Sequence, residues 1–282
     1  MTNIVVIVVR DEEFYIDMCL ESILPYIDKV YILDTGSADS TVEIIKSYSY
    51  KYHNIVLEEK YFGGKYSFDS GYKELEARNY ALSKAKELFS PDWIICMDAD
   101  EVYNDKFWDY FNLAIKENKF SICHGTELLS SSTTLYKSKD SVSIVQGHEM
   151  FDTHSRVWNN KIRDVKWHEP VGAHVTLGLS GEFAIQEPVH FHLHRTFGPK
   201  SIYTWLFWRG DPPINPGCYQ KIDYNIFNIG FYKKNYPELF TEGGKFTPPK
   251  EVLQRNLEVS ITVNSTIIPQ FVLEKWKLWG IW

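Results

Sequence analysis

Asp98-Ala99-Asp100-Glu101 puts three carboxylates into four positions, straight after the apolar run Trp93-Ile94-Ile95-Cys96-Met97. Left unpaired, such acids repel and oppose one another's ionisation. Two acids one residue apart on a strand-end turn can instead share a hard divalent cation, which takes oxygen ligands. A solvated acidic loop is the plain alternative, and the position after a buried strand speaks against it.

Four further groups carry chemistry. Asp34-Thr-Gly-Ser-Ala-Asp39 reads as a tight turn, with Gly36 turning the backbone and Asp39 or Ser40 capping the next helix. That leaves Asp34 at the end of a buried strand, where an acid can accept from a nucleobase or ribose. Arg78 lies three residues after Leu75 and four before Leu82, on the apolar stripe of its helix. A cation there implies a phosphate or carboxylate partner, or a snorkelling side chain. Lys166-Trp-His168-Glu169 offers a His-Glu pair able to act as a general base. Val189-His190-Phe-His192-Leu-His194, if a strand, lines three His on one face. A tetrahedral zinc site is conceivable there, but no Cys lies nearby, so one His completing an oxygen-rich site is the more economical reading.

The elements that must hold these residues alternate. Residues 3–9, 30–33, 54–57 and 93–97 are short apolar runs that predict strands. Residues 12–27, 72–89 and 104–118 carry helical periodicity, the first with Ile16, Leu20, Ile23 and Ile27 on one stripe. Ser40-Thr-Val-Glu43 reads as a capping box opening another helix. Strands alternating with helices predict an α/β fold with a mostly parallel sheet, whose ligands sit at the carboxyl ends of the strands. Arg10, Asp34 and Asp98, each directly after a strand, should therefore line one edge. Residues 119–195 predict short strands and loops, and Glu258–Val263 a late strand. A soft boundary near residue 200 divides a catalytic domain, 1–200, from a C-terminal α+β extension, 201–282.

The 282 residues are 44% hydrophobic and 24% charged, ordinary for a globular chain. A net charge of −7 argues against a general polyanion binder. Cys19 and Cys96 fall in apolar segments and read as reduced core thiols, which suits the cytoplasm. The apolar N-terminus lacks a basic region and reads as a first strand rather than a signal peptide. No apolar run is long enough to span a membrane.

Together, "RDEE" after strand one, "DTGSADST" after strand two, "ARN" in a helix, "DWIICMDADE" and "WHEPVG" resemble family 2 glycosyltransferases of the GT-A fold, and within them the branch that includes lipopolysaccharide-core glucosyltransferases. The resemblance spans about residues 3 to 195. It implies transfer of a hexose, glucose in that branch, from a UDP-sugar, with inversion and with Mn2+ or Mg2+. By position, Arg10, Glu12 and Asp34 would border the uridine, and Arg78 the phosphates. The triplet Asp98-Ala99-Asp100 would meet the nucleotide sugar, with Asp98 toward the ribose or a metal-bound water and Asp100 on the metal. His190 would add a metal contact, and Glu169 would be the base. Ser155-Arg-Val-Trp-Asn-Asn160 is a shortened form of the family's usual "RLFRN".

Two other classes fit parts of the chain. Residues 94–102 satisfy the motif of haloacid-dehalogenase phosphatases, with Asp98 as nucleophile, but leave the first strands unexplained. A non-catalytic sugar-binding module would use the 16% of aromatic residues, yet has little need of strand-end acids. The acceptor expected is a saccharide: a surface glycan, or a sugar already attached to phage DNA bases. For the latter, Lys233, Lys234, Lys245, Lys250 and the Trp/Lys-rich C-terminus would contact phosphates.

Overall fold

The computed structural model describes residues 1–64, 72–124, 127–131, 134–138, 142–145, 148–151, 154–168, 183–187, 189–193, 233–234, 236–239, 257–262 and 270–278. The chain alternates β1 (Asn3–Val9), α1 (Ile16–Ile23), β2 (Lys29–Asp34), α2 (Thr41–Lys51), β3 (Ile55–Glu59), α3 (Glu74–Phe89), β4 (Trp93–Asp98), β5 (Glu101–Tyr103) and α4 (Asp105–Lys116). Among the described residues, eight short strands follow: β6 (Ser121–His124), β7 (Glu127–Ser131), β8 (Thr134–Ser138), β9 (Val142–Val145), β10 (His148–Phe151), β11 (His154–Asn159), β12 (Phe183–Ile185) and β13 (His190–His192). Later come β14 (Leu257–Thr262) and a helix, α5 (Gln270–Leu278).

The main sheet has seven strands in the order β12-β6-β11-β4-β1-β2-β3. Strands β4, β1, β2 and β3 run parallel, and β11 enters antiparallel between β4 and β6. This is the expected α/β architecture. β4 reads as an unbroken apolar run because it is covered on both faces; all six of its residues are buried. One face packs α1, α2 and α4 through Ile16, Leu20, Ile23, Ile45, Phe107 and Phe111. The other packs α3 through Ala77, Ala81, Leu82 and Ala85, with Trp158 and Trp167. Removing any one of the larger apolar groups costs about 2–5 kcal/mol.

Two element ends differ from expectation. α1 runs only from Ile16 to Ile23. Asp11 adopts a left-handed φ of 57° and the Glu12 carbonyl accepts from Tyr15 and Ile16, so residues 12–15 turn rather than spiral. At the other end Leu24 is still α-helical and donates to the Leu20 carbonyl, and Pro25, which has no N–H, cannot extend the ladder. The capping box is also absent: Ser40 makes no side-chain cap. Asp39 does that work, its Oδ1 accepting the Thr41 N–H at 3.0 Å.

A second sheet, ordered β14-β8-β7-β13-β5, lies beside the first and carries the site residues that follow β4. β14 and α5 both join the earlier part of the chain. β14 pairs antiparallel with β8, and Lys275 of α5 makes an ion pair with Asp17 of α1. Lys245 and Lys250 lie outside the described residues, as does the chain from 194 to 232. Cys19, Cys96 and Cys123 are buried free thiols. Burial pushes the Cys96 thiol up to about 12. Among the described residues, no helix is long and apolar enough to cross a membrane.

Candidate active site

Parallel pairing places the strand ends in one row. In register, Val8 of β1 faces Asp98 of β4, and Val9 faces Asp34 of β2. Arg10, Asp34 and Asp98 thus leave the sheet at one edge, as their positions after apolar runs predict.

The three acids after β4 separate into three environments. Asp98 lies between two guanidinium groups: Arg78 Nη1 is 2.7 Å from its Oδ1, and Arg156 Nη1 is 2.9 Å from its Oδ2. Glu101 is 1% exposed and faces inward, 3.2 Å from Arg156 Nη1 and 3.3 Å from His190 Nε2. Its Oε2 also accepts the Asp98 N–H at 2.8 Å, which closes the turn. The Asp100 side chain meets an imidazole instead: His192 Nε2 lies 3.1 Å from Asp100 Oδ1. Leu193 donates its N–H to the Asp100 carbonyl at 2.7 Å, and this fixes the end of β13 beside the turn. Burial works against a charged His192, but the Asp100 carboxylate, with Glu101 and Asp98 behind it, holds the imidazole above its ordinary pKa.

The expected site residues divide accordingly. Asp98, Ala99, Asp100 and Arg78 converge. Arg78 takes carboxylate partners, Asp98 and Glu74. It is buried because it bridges α3 to β4. His190 is wholly buried, stacked on Tyr103 with ring centroids 4.6 Å apart. Its neighbour on the same strand face, His192, is the imidazole 3.1 Å from Asp100. The antiparallel register of β13 on β5 sets His192 opposite Glu101 and His190 opposite Tyr103.

Arg10, Glu12 and Asp34 form a second group, each bonded into the loops beside it. Asp34 Oδ1 accepts from the Gly36 and Ser37 N–H groups at 2.9 and 3.0 Å, and Oδ2 accepts from the Ser37 hydroxyl. The turn therefore accounts for Asp34 as well as Gly36, whose φ of 112° suits glycine. Arg10 is 4% exposed and donates to the Gly63 and Gly64 carbonyls at 2.9 and 2.7 Å. Its guanidinium lies over Tyr61 and Tyr72, at 5.6 and 5.3 Å from the ring centroids. The Glu12 N–H donates to Thr41 Oγ1 at 2.8 Å and so joins "RDEE" to "DTGSADST".

Asn79 ties the "ARN" helix to the "WHE" segment, donating to the Trp167 carbonyl at 3.1 Å and accepting its N–H at 2.9 Å. The Trp167 indole lies under Arg78 and Arg156, at 4.9 and 5.6 Å. Glu169, two positions on, is outside the described residues. Arg156, Glu101, Trp167 and His192 stand in the motifs quoted above, but sequence reasoning assigned none of them a role of its own in the site. Arg156 had a signal: an Arg beside Val157 and Trp158 in a buried strand requires a carboxylate, and three crowded acids require cations.

The description "Glycosyl transferase family 2" matches residues 4–170, well over half of the chain and every group above up to Trp167. The chain belongs to glycosyl transferase family 2. It is a glycosyltransferase, and its sheet is that of the GT-A fold. This membership decides against the phosphatase and the non-catalytic sugar-binding module; Asp98, the nucleophile in the former, is held by two arginines. Among solved structures, the chain is similar to TarS 1–349 of S. aureus at 14% identity, covering 84% of this chain and 73% of that one, with a TM-score of 0.43. It spans 45% of the longer TarS structure, at 16% identity and a TM-score of 0.45. A mannosyltransferase from Pyrobaculum calidifontis, in complex with GDP-Man and Mn2+, is 14% identical over 83% of this chain and 70% of that one, with a TM-score of 0.45. No curated protein matches the sequence.

Proposed function

We propose that this glycosyltransferase moves a hexose, glucose by the resemblance of its motifs to the lipopolysaccharide-core branch, from a UDP-sugar to a saccharide hydroxyl with inversion, using Mn2+ or Mg2+. The observation that carries this reading is the division of labour at the end of β4. Asp98 is charge-matched by Arg78 and Arg156, whereas Asp100 meets an imidazole, His192. A carboxylate oxygen and an imidazole nitrogen, 3.1 Å apart at a strand end, are a donor set suited to Mn2+. Asp100 and His192 would hold the ion. When bound, it supplies positive charge to the diphosphate leaving group.

The chain's own residues do the rest. Asp98, fixed from two sides, presents a rigid acceptor edge toward the ribose. Arg10 braces Gly63 and Gly64, and Asp34 shapes the Gly36-Ser37 turn, so both build the wall of the uridine pocket rather than reading the base directly. Glu12 joins the two loops. Glu169 takes the proton of the acceptor hydroxyl. The acceptor oxygen then bonds to the anomeric carbon as the bond from that carbon to the phosphate oxygen breaks, and UDP leaves on the opposite face. One displacement inverts the centre.

Proton NMR of UDP-glucose turnover tests this. The first sugar released or transferred should be β, and EDTA should stop its appearance. An α product, or no turnover of any UDP-sugar, overturns the reading. The acceptor is a surface glycan or a sugar carried on DNA bases, and retention on DNA that falls steeply with salt selects the second.

A further inference from the structure

We propose that Glu101 is the positioning residue of the donor site, the single side chain that sets Asp98 and Asp100 against His192. The proposal rests on the donor-site reading above. Glu101 is no ligand itself: it is 1% exposed and its oxygens are taken. Oε2 accepts the Asp98 N–H at 2.8 Å and lies 3.2 Å from Arg156 Nη1 and 3.3 Å from His190 Nε2. Oε1 lies 3.3 Å from the same Arg156 nitrogen. A carboxylate has about four such acceptor positions, and here they point to three different elements.

Each contact fixes one part of the site. The bond to the Asp98 N–H closes the Asp98-Ala99-Asp100 turn, so the direction of the Asp100 side chain depends on it. The ion pair with Arg156 holds the guanidinium that also holds Asp98. The backbone of Glu101 pairs with His192 across the β5–β13 ladder, and its side chain pins His190, two residues earlier on that strand. Both expected ion-holding side chains, Asp100 and His192, are therefore placed through one buried carboxylate. It also explains why a third acid follows two others: Glu101 faces the protein and the aspartates face the edge. Partners of this kind behind metal-holding groups typically govern about 10–100-fold in metal affinity.

The test uses the full chain with Glu101→Gln, which keeps size and an acceptor but loses the charge that matches Arg156. Mn2+ uptake in the presence of UDP is followed by the loss of the free-ion electron paramagnetic resonance signal, well below the melting temperature. Mn2+ affinity should fall at least about tenfold. Tyr31→Phe, which removes a hydroxyl bonded to Glu58 rather than to a donor-site group, should lower the melting temperature and leave Mn2+ affinity unchanged. If Glu101→Gln does not fold, Glu101→Asp replaces it, keeping the charge and shortening the reach, with the same loss expected. A folded Glu101 variant that takes up Mn2+ as the wild type does overturns the inference, as does an equal loss in Tyr31→Phe. Wild-type protein that takes up no Mn2+ with UDP defeats the donor reading instead, so the two failures are distinct.

Discussion

Asn79 holds Trp167 by both ends of its amide, Nδ2 donating to the carbonyl at 3.1 Å and Oδ1 accepting the N–H at 2.9 Å. A single side chain on α3 thus anchors the segment that leads to Glu169, and Trp167 in turn packs against the arginines that hold Asp98. Asn79→Ala would leave a part-buried backbone pair without its partner, at about 1 kcal/mol or more. If Glu169 is the base, the larger effect falls on turnover: kcat should drop about 10²-fold, as misplacement of a catalytic group does, with donor KM changed far less. Steady-state kinetics beside a urea titration would show it; an unchanged kcat would detach the His168-Glu169 segment from the chemistry.

His192 and His190 share a strand face but should behave oppositely. His192→Ala should weaken Mn2+ uptake about tenfold or more and lower activity, with a smaller change in melting temperature than His190→Ala, since His192 is the more exposed of the two. His190→Ala opens a hole against Tyr103 and Glu101, so stability should fall clearly. Calorimetric melting of both variants, with and without Mn2+, makes the comparison.

Arg156 is 1% exposed and serves two carboxylates. Arg156→Met keeps much of the volume and strips Glu101 of its matching charge. Breaking a buried ion pair from one side costs about 3–5 kcal/mol. Urea unfolding reads this directly, and a loss under about 1 kcal/mol would mean the carboxylates find other partners.

Glu58 gives a pH prediction away from the site. Burial alone would raise its carboxyl, but hydrogen bonds from Tyr31 at 2.5 Å and Tyr80 at 2.6 Å hold it below its ordinary range. A carboxyl with a depressed folded pKa contributes stability that is complete above its unfolded pKa, about 4.3, and is lost as pH falls through the folded value. Tyr31→Phe removes one donor. The gap in melting temperature between wild type and Tyr31→Phe should therefore be wide at pH 7 and narrow in acid below that unfolded value. A gap that does not change with pH would assign the effect to packing alone.

The parallel core was legible because its strands are continuous apolar runs, which only a sheet covered on both faces requires. The strand-end positions of Arg10, Asp34 and Asp98 followed from the same pattern. The ends of α1 were not legible from periodicity, because Asp11 and Pro25 act through backbone geometry rather than hydrophobicity. The partners of the acids were hidden for another reason. Arg156 and His192 arrive on β11 and β13, far along the chain, and two His at a spacing of two cannot be told apart until the register with β5 is known. Asp34 shows the reverse case: its turn is written locally in Asp-Thr-Gly-Ser, and side-chain bonding to its own loop accounts for its burial.

The most direct test of the account is calorimetric titration of UDP into the protein with Mn2+ or EDTA, for wild type, Asp100→Asn and Asp98→Asn. UDP should bind the wild type only with Mn2+. Asp100→Asn should abolish that dependence, whereas Asp98→Asn should keep it and lose stability through its two unmatched arginines. Tight UDP binding in EDTA, or a Mn2+ dependence that survives Asp100→Asn, would contradict the assignment of the cation to Asp100.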